Sequence, residues 1–442
     1  MSGPAVETAK QPYSEGYTRY VLGVVLLVAV FNNVDRTVLS ILVEPIKRDF
    51  GMSDTQMGAA MGMAFTIVYT LTALPVARWA DIGVRRSIVA GALLLWSGFT
   101  TATALVQSFS QLFIMRMGVG IGEAGGTPPS LSLLSDYVPP TRRGRGLSVI
   151  SLGAVTGMGL GMIVGGWINE QWGWRWAFVA AGLPGIALAG IVRFTVREPP
   201  RGGSEGRPRS LERDSLLGVV RYMFGLRTFL FILCANAFAL FAAMGRNLWE
   251  PSFIIRIYDM GTADAGTWYF LTSPLPSMLG IYLGGALADR LGTRDRRWYL
   301  WVPAIGQVIS VPVLCAFLLW PASDRVALPF ALPDIPVAFL FSIFGSVFGS
   351  FFTAPFLATI QGLAMLRMRA MAAAISTTVS SFVGMFAGPL LVGFLSDTFE
   401  LRFGHEALRY SLLVPTAAPL GSALLCLVAA RTIRRDIAVS AG

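Results

Sequence analysis

Long apolar runs recur along the whole chain, separated by short polar intervals. A helix needs ~20 apolar residues to cross a bilayer. The runs predict spans at 20–43, 55–77, 87–107, 111–134, 147–168 and 176–196, then at 228–248, 267–288, 298–320, 336–362, 370–395 and 408–430. The longest polar interval, 197–227, contains Pro199, Pro200, Gly202, Gly203 and Pro208 and separates two sets of six spans. The expected organisation is a tail at 1–19, a first half at 20–196, a central loop at 197–227, a second half at 228–430 and a tail at 431–442. Short connections make neighbouring helices antiparallel. The fold class is an all-α membrane protein with twelve helices in two halves.

Composition supports this reading. Of 442 residues, 54% are hydrophobic and only 14% charged, against roughly 25% charged in a soluble domain. Too little charge is present to cover a soluble surface, and disorder would need the opposite balance. The net charge of +10 is explained by position. Of the 35 Lys and Arg residues, 25 fall in tails and loops on the amino-terminal side and seven on the other, while Arg36, Arg116 and Arg246 lie within spans. The excess places both termini in the cytoplasm. It reads as inside bias plus contact with anionic membrane lipids, with no nucleic-acid partner. Residues 1–19 lack the apolar core of a cleavable leader. Cys234, Cys315 and Cys426 lie in apolar stretches without metal-ligand spacing and read as buried, inert thiols. No metal cluster, phosphate loop or nucleophile constellation occurs, so neither an enzyme nor ATP-driven transport by this chain is expected, and no cofactor.

The halves repeat one another. Ala77 to Arg86 follows span 2 and Gly285 to Arg294 follows span 8, with Asp81 and Asp289 at the same place. Gly157, Gly161, Gly165 and Gly166 in span 5 echo Gly384, Gly388 and Gly393 in span 11. Small residues four apart let helices pack closely. Two parallel six-helix repeats are one organisation of secondary transporters.

At these residues the chain resembles the major facilitator superfamily. Gly285-Ala-Leu-Ala-Asp289-Arg290-Leu-Gly292 fits that family's loop 8–9 signature, and Arg116-x3-Gly120-x-Gly122 its helix 4 pattern. The loop 2–3 copy departs from it at Ala77 and Gly83, and Met162 stands where the antiporter pattern of helix 5 has proline. Asn32-Asn33-Val34-Asp35-Arg36 and Gly118 to Ala124 are similar to the Spinster group. Its eukaryotic members are associated with sphingolipid or lysolipid transport. The Asp-Arg pair also occurs in organic-anion symporters of the superfamily, and short loops point to a bacterial member.

Charges at membrane depth mark function by default. At ~1.5 Å per residue, Asp35 lies roughly 22 Å and Glu123 roughly 20 Å from the amino-terminal side, in one layer with Arg36. The same count puts Arg116 and Arg246 nearer the outer face, where snorkelling is an alternative. Asn32, Asp35 and Arg36 share one side of helix 1; Arg116, Glu123 and Thr127 share one side of helix 4. The resemblance implies that both helices line a central cavity. Asp35 is the expected main proton-responsive group, and Glu123 its partner or a second one. Arg36 pairs with Glu123 in one state and binds an anionic group in another. The alternative is a static ion pair that orders helices 1 and 4. Asn32, Asn33, Arg116, Thr127, Asn236 and Arg246 are weaker cavity candidates, with interhelical hydrogen bonding as the alternative for the asparagines. Two acids against three bases within the spans favour an anionic or zwitterionic head.

The resemblance also implies a cytoplasmic gate at Asp81, Arg85 and Asp136, with Asp289, Arg290 and Arg294 as its second-half counterparts. The alternative there is solvated positive-inside charge. Trp167, Trp172, Trp174 and Trp176 read as interface anchors. The expectation is a monomeric secondary transporter in a bacterial inner membrane. It moves a lysolipid or sphingoid-like molecule by alternating access with proton coupling. A proton-coupled organic-anion symporter, a drug exporter, or an uncoupled scramblase or receptor remains open.

Overall fold

The computed structural model describes residues 13–138, 143–200, 216–326, 334–365 and 368–441. Each predicted span coincides with a helical rod, but several rods are interrupted. In the first half, α1 (Glu15–Ile41) is followed by the short α2 (Val43–Phe50). Rod two comprises α3 (Asp54–Gly58), a π-helical stretch (Ala59–Met63) and α4 (Ala64–Ile82). α5 (Arg85–Thr103) is rod three, α6 (Phe109–Glu123) with α7 (Thr127–Tyr137) rod four, and α8 (Arg143–Trp172) and α9 (Trp174–Thr195) rods five and six.

After α10 (Leu216–Gly225) the second half repeats the plan. It runs through α11 (Arg227–Tyr258), α12 (Thr262–Thr272) with α13 (Pro274–Gly292), and α14 (Trp298–Leu319). Next come α15 (Ala338–Gly349) with α16 (Thr353–Leu363), α17 (Arg369–Phe403), and α18 (Ala407–Ala417) with α19 (Pro419–Ala441). A two-residue antiparallel ladder, β1 (Arg325–Val326) with β2 (Ile335–Pro336), precedes α15.

Prolines place two of the breaks. Pro128 and Pro129 cannot donate to the carbonyls one turn back, so rod four breaks between Glu123 and Thr127. Pro274 begins α13 in the same way after Ser273. Among the described residues nine helical stretches are long and apolar enough to cross a membrane, and one of them, Met371–Ile437, holds the last two rods. α5 and the divided rod four fall below that criterion although they pack among the others. Large apolar side chains such as Leu71, Phe194 and Tyr282 are more than 70% exposed, as a lipid-facing surface requires. Trp167, Trp172 and Trp176 are exposed, whereas Trp174 is buried against Phe178 and Phe50 and donates to Asp49. Only Cys426 of the three cysteines is buried.

The glycine repeats are contact seams. A Cβ on Gly153 or Gly157 of α8 would strike the backbone of α1, and one on Gly384 or Gly388 of α17 the backbone of α11. The same two helices join the halves: Gly166 of α8 abuts Thr262 of α12, and Gly58 of α3 abuts Pro389 of α17.

Candidate functional site

Asp35 and Arg36 are adjacent on α1 yet turn to different partners. Arg36 Nε donates to Glu123 Oε2 at 2.5 Å. Its side chain stays one-third exposed while that of Glu123 is fully buried. Asp35 is 2% exposed, accepts from Thr100 Oγ1 at 2.5 Å and lies 3.8 Å from Arg116 Nη1. Phe65 lies near both guanidinium groups, its ring centre 5.2 Å from that of Arg36 and 5.8 Å from that of Arg116. Arg36 also lies over Tyr69, which stacks on Phe65. Such contacts hold a cation without neutralising it. The close approach depends on Gly120 and Gly122, where a Cβ would strike Phe65 and Trp96.

The network is incompletely satisfied. Asp35 Oδ2, Glu123 Oε1 and Arg116 Nε are buried without a hydrogen-bond partner among the described residues. Buried charges normally recruit full sets of partners, so this constellation has capacity for another arrangement. About one turn back along α1 is a small recess lined by Asn32, Asn33, Trp96, Thr127 and Ser130. Asn33 Nδ2 donates to Ala29 in its own helix rather than across helices.

Two expectations change. Arg116 is 4% exposed and faces Asp35, and Arg246 is 9% exposed. Neither snorkels to the outer face, because each finds a carboxylate inside. The balance of two acids and three bases also fails. α11 continues ten residues past the predicted span, to Tyr258, and carries Glu250, which is fully buried and 3.3 Å from Arg246 Nε. The charge count at this depth is therefore balanced, and the count itself no longer favours an anion. The i, i+4 spacing of Arg246 and Glu250 was visible in the sequence; the helix end was misplaced because the charges themselves lower local hydropathy. Asn236 is buried on the same helix.

The halves are tied at the end remote from the termini. Arg256 of α11 reaches Asp54 through Nη1 at 2.7 Å and Nη2 at 2.6 Å, and Glu44 through Nε at 2.9 Å. Lys47 and Ser396 also bond Asp54, each at 2.6 Å. Asp397 of α17 accepts from the backbone nitrogens of Asp54 and Thr55, each at 2.8 Å, at the start of α3. Nearby, Asn169 donates to Thr262, and Glu170 accepts from Ala263. Sequence reading missed this cluster, since pairing over that separation in the chain leaves no local signal.

At the terminus-bearing end, Arg85 bonds Asp136, the Ser132 carbonyl, Glu198 and the Pro199 carbonyl. These contacts lie within one half, and Glu198, the chain's exit from α9, was not anticipated. The side chain of Asp81 lies outside the described residues. Asp289 accepts from Tyr299 at 2.7 Å, while Arg290 and Arg294 are exposed.

Residues 25–323 match the model of the family described as Major Facilitator Superfamily. An MFS-type efflux pump of Mycolicibacterium smegmatis is 34% identical over 94% of this chain and 93% of its own length. Protein spinster homolog 1 of Xenopus tropicalis is 25% identical over 88% of this chain and 76% of its own length. Among solved structures, a bacterial homolog of the human lysosomal transporter Spinster, inward-facing and unoccupied, superposes with a TM-score of 0.86. It is 26% identical and covers 96% of this chain and 99% of that one.

Proposed function

The chain belongs to the major facilitator superfamily, and from that premise we propose a secondary transporter that moves an amphipathic molecule with a charged head by alternating access, coupled to protons. That it is a multi-pass membrane transporter, related to Spinster proteins and to efflux pumps, follows from the family and the relatives. The substrate class, the coupling ion and the sidedness are our reading.

One observation carries it: the Arg36–Glu123 pair and the Asp35–Thr100–Arg116 cluster lie about one turn of α1 from the recess at Asn32 and Asn33 and leave carboxylate oxygens unpartnered. A proton on Glu123 removes the charge that holds Arg36. The guanidinium, already one-third exposed, then turns to an anionic group of the cargo. Asp35, clasped by Thr100 and Arg116, is the second proton site, and its charge sets the orientation of α6 against α1. The cargo class we propose is a lysolipid or sphingoid-like molecule, whose charged head would meet Arg36.

The ties between halves at the remote end, with both termini on the cytoplasmic face of a bacterial inner membrane, correspond to an inward-facing state. The likeness to the inward-facing bacterial Spinster homolog supports this assignment. Arg85 with Asp136 and Glu198 then braces the inner end of the first half, and Asp289 with Tyr299 that of the second. Asp81, Arg290 and Arg294 are the inner-gate residues that complete the cycle. The 34% identity to an efflux pump favours export of amphipathic compounds as a second reading, through the same machinery run outward.

Proteoliposomes with an internal pH dye test the coupling. Addition of lysophosphatidylglycerol or lysophosphatidylcholine is expected to drive proton flux in the wild type, and Asp35→Asn and Glu123→Gln to abolish it while the protein stays folded. Unchanged proton flux in both variants would remove the coupling role.

A further inference from the structure

The second half contains a recess that repeats the one at Asn32 and Asn33 but carries a charge at its centre. On α1 the lining residues are Val25, Val28, Ala29, Asn32 and Asn33. On α11 they are Ala239, Ala242, Ala243, Arg246 and Asn247. Both sets follow the i, i+3, i+4, i+7, i+8 spacing of one helix face. In each half the floor comes from the break in the fourth rod, Gly126 to Ser130 in the first and Gly349 to Phe352 in the second. In this register Arg246 stands where the first half has Asn32. The second recess is also the larger of the two.

Arg246 is 9% exposed, and its donors are poorly used. Nε faces Glu250 at 3.3 Å. Nη2 makes only long contacts, 3.5 Å each, to Asn247 Oδ1 and Ser273 Oγ. Nη1 has no partner among the described residues. Gln307, 2% exposed on the opposite wall, likewise leaves Oε1 unpartnered. Ser277, Ser310, Ser346 and Ser350 line the same space, the first three donating their hydroxyls to the Ser273 carbonyl, the Gln307 carbonyl and Ser273 Oγ. The amino end of α13, with its partial positive charge, begins beside Ser273. A buried guanidinium with a free edge in a polar, serine-lined recess matches an oxyanion with two or three oxygens. Glu250 is the resident counter-ion, itself held by Ser342 Oγ at 3.2 Å.

We propose that this recess is a second, anion-binding subsite. Arg246 takes the carboxylate, sulfonate or phosphate oxygens of the ligand, and Glu250 is the competitor that the ligand displaces. The proposal rests on the transporter reading only in calling that ligand the cargo. The chemistry is shared by a lipid-like amphiphile and a soluble organic anion. A purely structural Arg246–Glu250 pair makes the opposite prediction for Glu250, because removing one partner would then only damage the site.

The test is tryptophan fluorescence titration of the full chain in phosphatidylcholine nanodiscs, Trp249 lying beside Arg246 in sequence. The probes are octanesulfonate and benzenesulfonate, whose charges do not titrate. Arg246→Gln is expected to weaken binding at least tenfold, and Glu250→Gln to tighten it about fivefold. Arg402→Gln, which removes an exposed charge at the remote end, should bind as the wild type does. Should Arg246→Gln fail to fold, Arg246→Lys and Gln307→Leu take its place, each expected to weaken binding at least threefold. Tighter binding of octanesulfonate identifies a lipid-like source and equal binding a soluble one; either supports the site. Wild-type affinity in Arg246→Gln, or weakened binding in Glu250→Gln, overturns it. Intact sulfonate binding together with absent proton-coupled flux would defeat the transport reading and leave this site standing.

Discussion

Arg256 on α11 grips the carboxylate of Asp54 on α3 with both terminal nitrogens, at 2.7 and 2.6 Å, and so bolts the second half to the first. The side chain of Asp54 is 3% exposed and that of Arg256 15%, so water screens the pair weakly. Arg256→Gln removes charge-assisted bonds worth about 1.5–3 kcal/mol each. Lys47 and Ser396 still bond Asp54, so the net loss in the closed state is about 1–2 kcal/mol. Conformers of such proteins differ by only a few kcal/mol. The population open at the remote end should therefore rise about tenfold. Spin labels at Gln171 and Glu400 would report it as a longer distance component, and an unchanged distance distribution would mean that the pair does not hold the gate.

Asp397 acts as a helix cap supplied by another helix. Its two oxygens take the free backbone donors at the start of α3, where side-chain acceptors and negative charge are both favourable. Asp397→Ala should lower stability by about 1 kcal/mol. Asp397→Asn keeps one acceptor and should lose only about half of that. Thermal unfolding in detergent should rank wild type above Asn above Ala. Equal losses in the two variants would show that charge alone matters.

The rods, their order and the seam glycines could be read from apolar runs and spacing, because helix period and bilayer thickness act locally. Pro128 and Pro274 place their breaks by an equally local cause, since a missing N–H acts within one turn. Asp35, Arg36 and Glu123 were legible as charges in an apolar setting. Their partners were not. Thr100 is an ordinary helix-facing hydroxyl until α5 packs against α1, and Phe65 is one of many aromatics until two guanidinium groups lie near it. Glu250 and Arg256 escaped because their charge ended the apolar run early, whereas ion pairing inside the fold lets α11 continue. Glu198 became visible only once the chain leaving α9 was found against Arg85.

Asp49 gives a pH-dependent contribution outside the spans. Hydrogen bonds from Arg175 and then Trp174 hold its carboxyl below the usual carboxylate range. A depressed folded value stabilises the fold above the unfolded pKa of ~3.9, and that contribution disappears as pH falls through the lower folded value. Both side chains of the pair are 44% exposed, so screening limits the effect to about 0.2–1 kcal/mol. Asp49→Asn should melt below the wild type at pH 7, and the two should converge once the pH falls below the depressed folded value. A gap that persists in acid would assign the effect to packing against Trp174 instead.

The glycine seams separate stability from gating. A Cβ on Gly157 would meet the carbonyl of Val30 within one half, and a Cβ on Gly166 would meet Thr262 across the halves. A Cβ on Gly190 of α9 would meet nothing within 4 Å. Gly190→Ala should therefore be neutral or stabilising by about 0.5–1 kcal/mol. Gly157→Ala forces α1 from α8 in every conformation and should cost about 1–3 kcal/mol, read as a lower melting temperature. Gly166→Ala clashes only while the remote end is closed. It should leave most of the stability intact and lengthen the Gln171–Glu400 label distance, as Arg256→Gln does. Combining Gly166→Ala with Arg256→Gln then tests whether seam and ion pair act on one motion: two changes that open the same gate should together add little to the distance already reached by either. A further, separate lengthening in the double variant would show that α8–α12 and α3–α11 open independently.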